Sequence, residues 1–134
     1  MGTLSNAFRV LLVLWAGSLW ALAAWVAPTL FYAQSDRHLA GVLAARLFSI
    51  EAYLGIAVGV LALLLPGRAR FIWGYVAVLL LAANEWVLQR FMALAHARGA
   101  VYGLTFGAWH GVAAVVYLLA CLAVLLLVWK EDFR

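Results

Sequence analysis

Four apolar runs, each longer than a bilayer is thick, leave this chain few ways to fold. They cover about residues 7–32, 39–65, 71–95 and 101–129. A hydrocarbon core of about 30 Å takes about 20 helical residues to cross, and every run exceeds that. Lipid offers peptide groups no hydrogen-bond partner, so a spanning segment of this length must satisfy its own backbone as a helix. The runs predict an all-α fold, an antiparallel four-helix transmembrane bundle forming a single domain over residues 1–134. Composition agrees: 69% of residues are hydrophobic and 10% charged, more apolar surface than a soluble domain of this size can bury. The first run imitates a cleaved leader, with Arg9, the stretch from Val10, and Ala21-Leu22-Ala23. It continues well past that point, as a spanning helix requires and a leader does not.

The breaks between runs carry the local signals. Ser35-Asp36-Arg37-His38 offers Ser35 or Asp36 as N-cap for the second helix. Pro66-Gly67-Arg68-Ala69-Arg70 predicts a tight turn, and His96-Ala97-Arg98-Gly99 another. Pro28 lacks an N–H, so the first helix is expected to kink or end there. Arg9, Arg68, Arg70, Lys130 and Arg134 fall on the side that holds both termini. Arg37 and Arg98 fall on the other, joined by Arg46 and Arg90 if those lie outside the membrane. That bias predicts cytoplasmic N- and C-termini, with Trp73 and Trp129 in the interfacial belt of the same side. The basic residues sit at the ends of runs, so a nucleic-acid surface is not indicated and the lipid bilayer is the expected partner. The single cysteine, Cys121, can form no intrachain disulfide.

Two glycine series punctuate the helices, Gly55 and Gly59 on the second run and Gly103, Gly107 and Gly111 on the fourth. Small residues at this spacing let helix backbones approach closely. They serve packing within the chain or, alternatively, the face of a homodimer.

Ionisable groups are costly in lipid and mark where function should show. The candidates are Arg46, Glu51, Asn84, Glu85, Gln89, Arg90 and His110. Span directions place them all in the outer half of the bundle, where Pro28, Thr29 and Tyr32 join them, with Arg46 and Arg90 nearer the surface and the two glutamates about five residues deeper. Pairing between antiparallel helices, Arg46 with Glu85 and Arg90 with Glu51, would neutralise these charges. Two readings follow: bridges that only fix helix register, or an outward-facing polar pocket for a small solute or ion. In the second, Arg46, Glu51, Asn84, Glu85, Arg90 and His110 bind the ligand, and Glu51, Glu85 and His110 titrate. His110 is the one histidine expected to be buried, so it is the sole metal or haem candidate of its kind. Metal sites want several converging ligands, and no paired-histidine or paired-cysteine motif appears. No cofactor is therefore predicted, a haem- or metal-binding redox protein being the alternative. No phosphate loop, nucleophile elbow or zincin motif appears either, which argues against an enzyme. A structural accessory subunit of a membrane complex is the third possibility.

Four stretches carry a family resemblance: Trp15-Ala16-Gly17-Ser18-Leu19-Trp20, Val26-Ala27-Pro28-Thr29-Leu30-Phe31, Leu39-Ala40-Gly41 with Arg46-Leu47-Phe48, and Phe106-Gly107-Ala108-Trp109-His110-Gly111. In this order they resemble the bacterial domain-of-unknown-function family 4149, over nearly the whole chain. That family is similar to the eukaryotic transmembrane protein 205, and distantly to the copper-resistance protein D group. The resemblance implies a four-helix protein of the bacterial inner membrane with unassigned biochemistry. The eukaryotic relative's link with metal-drug tolerance implies small-solute handling. Among relatives of the copper-resistance group are haem-linked porphyrinogen oxidases. The first-span histidine expected of those has no counterpart here, since the first run contains no histidine.

Overall fold

In a computed structural model of the chain, which describes residues 2–66 and 71–132, the four runs are helices. They comprise Asn6–Ala33, Arg37–Leu64, Ile72–Arg98 and Phe106–Lys130, each long and apolar enough to cross a membrane. The expected turn at 66–70 lies, beyond Pro66, outside the described residues. So do Phe133 and Arg134 of the charged tail.

The helix ends follow from side-chain and backbone chemistry. Asp36 is the cap of the second span: its carboxylate accepts from the N–H groups of His38 at 2.9 Å and Leu39 at 3.1 Å, satisfying two donors that the first turn leaves unpaired. The third span stops at Gly99, whose backbone has φ +87° and whose N–H donates to Ala95 O at 2.8 Å. Glycine reaches that left-handed region without strain. The fourth span starts at Phe106, five residues later than expected. Val101 and Leu104 exchange backbone hydrogen bonds of 2.9 and 3.0 Å across a turn that holds Gly103 at φ +75°. Thr105 then starts the helix, its hydroxyl accepting from Ala108 N–H at 3.3 Å. Gly103 therefore belongs to the turn, not to a helical glycine face.

Pro28 neither ends nor breaks its helix. A proline there cannot donate to the Ala24 carbonyl and its ring would press on it. The helix widens instead: Leu22–Val26 form a π turn, and Ala27 N–H reaches back to Leu22 O. Ala27–Ala33 then continue as α-helix with Pro28 in the first turn, where a missing donor costs least. A second π turn, Asn84–Leu88, interrupts the third span.

Packing closes the spans into a ring. The third and fourth spans share the most extensive contact; the first with the second and the second with the third follow at nearly equal extent, and the first with the fourth is the smallest. The first span contributes Leu12, Trp15, Leu19 and Leu22, a helical stripe that meets Val58, Ala62, Leu81, Tyr117, Val124 and Leu127 in one core. Gly55 and Gly59 make that meeting possible. A Cβ at Gly55 would stand 3.0 Å from the Trp15 ring and 3.2 Å from Leu81, and one at Gly59 would stand 3.3 Å from Val78. The second-span glycines thus serve packing within the chain. Gly107 and Gly111 do not: both are exposed, and a Cβ at either would meet nothing within 4 Å. At the end bearing the termini, Lys130 lies 5.2 Å over the Trp73 ring, placing that tryptophan beside a terminal cation.

Candidate functional site

Span lengths fix the depth of each polar group. Glu51 lies fourteen residues from Arg37 and thirteen from Leu64, the ends of its span. Glu85 lies thirteen from both Ile72 and Arg98. At 1.5 Å per residue both carboxyl-bearing Cα atoms are about 20 Å from either end. They occupy mid-depth rather than the outer half. Arg46 and Arg90 are nine and eight residues from the ends nearer the 34–36 and 99–105 connections, and His110 is four from Phe106. The expected depth difference between arginines and glutamates therefore holds, but the group divides into two layers.

The deep layer is built from serine–glutamate pairs. Glu51 is buried, with 7% of its surface exposed. It shares the second span's inner face with Gly55, one turn along, which packs on Trp15. Ser18, beside the first-span core stripe, places its hydroxyl 3.1 Å from Glu51 Oε2 and 2.8 Å from Trp15 O. Around it, Tyr117 Oη donates to Leu19 O at 3.0 Å and Trp20 Nε1 donates to Cys121 O at 3.2 Å. Side-chain bonds to carbonyls thus tie the first span to the fourth. The second pair lies across the second and third spans. Ser49 donates to Glu85 Oε1 at 2.7 Å, and Glu85 is half-buried inside the Asn84–Leu88 π turn. Neighbouring Asn84 donates from Nδ2 to Ala113 O at 3.0 Å, while its buried Oδ1 has no hydrogen-bond partner. Ser49 and Glu51 are two residues apart, about 200° around the helix, so the two carboxyls are served from opposite flanks of one helix.

The shallow layer does not join them. Arg46, Arg90 and His110 are exposed on the outside of the bundle. Among the described residues neither the Arg46–Glu85 nor the Arg90–Glu51 ion pair forms; Glu85 and Glu51 take Ser49 and Ser18 instead. His110 is likewise not buried. The inward face of the fourth span runs through Trp109, Ala113, Tyr117, Ala120 and Val124, and His110 is turned about 100° from Trp109. Its ring stacks on Phe106 at 6.3 Å, and Phe106 meets His96 edge-on at 5.4 Å. A ligand held by His110 would therefore lie on the outer surface of the bundle. No group of three or more histidine, cysteine, aspartate and glutamate side chains converges among the described residues. An open cleft of about 410 Å³ runs along the first span, lined by Trp25, Val26, Thr29, Leu30, Ala33 and Gln34. It includes Thr29 but none of the six residues expected to bind a ligand.

Ser18 and Ser49 are the residues that reasoning from sequence missed. The available signal was their depth: two hydroxyls in apolar runs, at the same mid-span level as the glutamates.

Comparison with known proteins matches residues 10–130 to one family, described as Domain of unknown function (DUF4149). No curated protein and no solved structure matches. The match spans all four membrane-crossing helices, with the serine–glutamate pairs inside it: the chain is a multi-pass membrane protein and belongs to the DUF4149 family.

Proposed function

We propose that this protein binds or moves a small solute or ion in the bacterial inner membrane, with both termini cytoplasmic and Glu51 and Glu85 as the binding groups. The observation that carries this reading is Glu51, a carboxyl buried at mid-depth whose hydrogen-bond partner is a serine hydroxyl. A carboxylate in that position is costly without a compensating charge. No arginine, lysine or histidine among the described residues forms an ion pair with it, so a mobile ion is the natural compensation. Glu85, the unpaired Asn84 Oδ1 and the Asn84–Leu88 π turn lie at the same depth on the neighbouring helix, and π turns are frequent at functional sites. Arg46 and Arg90, with His110, would act as a polar rim nearer the outer surface rather than as ligands at mid-depth.

Four spans are few for alternating access, which usually pairs repeats. Transport therefore calls for a second copy or a partner, and the exposed Gly107 and Gly111 offer a surface that helices can approach closely. The test is flux into proteoliposomes under imposed proton, sodium and potassium gradients, read with dyes selective for each ion. The expected result is a wild-type flux for one of them, reduced at least tenfold in Glu51→Gln. Equal flux in the variant and the wild type removes Glu51 from the pathway and the reading with it.

A further inference from the structure

We infer that the ion at Glu51 is the proton, and that the Ser18 hydroxyl is a rotor serving both protonation states of that carboxyl; this rests on the reading of Glu51 as the binding group. Ser18 Oγ lies 2.8 Å from Trp15 O and 3.1 Å from Glu51 Oε2. Both partners are acceptors when Glu51 is ionised, yet a serine hydroxyl carries one proton and two lone pairs. One proton cannot serve both acceptors at full strength, and the shorter contact is the one to Trp15 O. With Glu51 protonated the count closes: Glu51 donates to Ser18 Oγ, and Ser18 donates to Trp15 O. Both contacts then hold a proton, and no charge is buried.

The reverse state, though costlier, is reached by a small movement. When Glu51 gives its proton to water, the Ser18 hydroxyl turns from Trp15 O toward Oε2 and stabilises the new carboxylate. One proton leaves, one O–H bond rotates, and no other group need change. Donation to the carbonyl three residues back is a geometry that helical serines adopt readily, so the hydroxyl has a resting place in the protonated state.

The surroundings favour a proton over a metal cation. The first span brings neutral Trp15 and Ser18 to this face of the second. The fourth brings Tyr117 and Cys121 as facing titratable groups, and the Tyr117 proton is committed to Leu19 O. Glu85, the carboxyl of the third span, is held by Ser49 on the opposite flank. A metal cation needs several oxygen ligands at once, whereas a proton needs the carboxyl and one acceptor, which is what Glu51 and Ser18 supply.

Infrared difference spectroscopy of the purified protein in lipid tests this. The protonated-carboxyl C=O band of Glu51 is isolated as the band lost in Glu51→Gln. It is expected in wild type at neutral pH, to diminish as the pH is raised, and to shift to higher frequency in Ser18→Ala, where the acid has lost its acceptor. Ser18→Thr, which keeps a hydroxyl, restores the wild-type position. Near-UV circular dichroism confirms that each variant is folded. If Glu51→Gln removes no such band at any pH, the proton assignment is overturned. A tenfold loss of sodium or potassium flux in the same variant would still leave Glu51 as the binding group. An unshifted band in folded Ser18→Ala overturns the rotor alone.

Discussion

The two serine–glutamate pairs contain the same chemical groups at the same depth, yet they occupy different ground. Glu51 faces the core between the first, second and fourth spans, is 7% exposed, and is closed in by the Trp15 stripe. Glu85 sits at the seam of the second and third spans, half-buried, in a π turn that widens its own helix. Beside it Tyr53 and Trp86 pair on the exposed side of the seam, 5.9 Å apart. The inner pair is held by packing from several helices, the outer one by one hydroxyl and a deformable backbone. Hydrogen-bond chemistry alone thus does not distinguish these sites; what differs is how much must move before either carboxyl can be reached.

Truncation exposes that difference most strongly. Glu51→Ala removes a buried side chain whose space the surrounding Trp15 and Tyr117 cannot readily fill, and should cost roughly 2–3 kcal/mol. Glu85→Ala, at a half-open seam, should cost under about 1 kcal/mol. Unfolding in mixed micelles with increasing denaturing detergent measures both. Equal losses would mean that the two sites are equally confined and would break the contrast.

The next largest effect concerns the packing behind Glu51. Gly55→Ala places a Cβ 3.0 Å from the Trp15 ring and 3.2 Å from Leu81, so that the buried ring or the leucine methyl must shift by a few tenths of an ångström. Overpacking of this kind costs about 1–3 kcal/mol. It also displaces Trp15, whose carbonyl receives the Ser18 hydroxyl. Gly111→Ala meets open space and should be neutral or stabilise by up to about 1 kcal/mol through helix propensity. The same detergent titration checks both, and destabilisation by Gly111→Ala would reveal a partner on the fourth span.

Much of the bundle was legible in the sequence because lipid permits so few solutions. Four long apolar runs with short polar breaks can hardly be anything but spanning helices, and Asp36 and Gly99 act as helix-end signals should. The azimuth of the fourth span was not legible. It is apolar on every side, so no periodicity tells which face turns inward, and His110 was assigned to the interior for want of such a signal. Position along each run separates the arginines from the glutamates in depth, but it does not fix rotation about each axis, which decides whether Arg90 can reach Glu51. The π turns escaped for a different reason. Pro28 announces a lost hydrogen bond, but whether the helix breaks or widens depends on neighbours that hold its far end in place. Nothing in the sequence announces the turn at Asn84.

The smallest effect discriminates most finely, because it deletes a single oxygen from each pair. Ser18→Ala leaves the Glu51 carboxyl buried with its serine partner gone, whereas Ser49→Ala leaves Glu85 at a seam where lipid-borne water or a shifted side chain can take over. Hydrogen bonds between membrane helices average about 0.6 kcal/mol and reach about 1.7. Ser18→Ala should therefore fall toward the upper end, about 1–1.5 kcal/mol, and Ser49→Ala near or below about 0.5. The 2.7 Å contact of Ser49 is shorter than the 3.1 Å contact of Ser18, so distance alone predicts the opposite order. A larger loss for Ser49→Ala would show that bond geometry outweighs burial here, and Glu85 would become the more tightly held carboxyl.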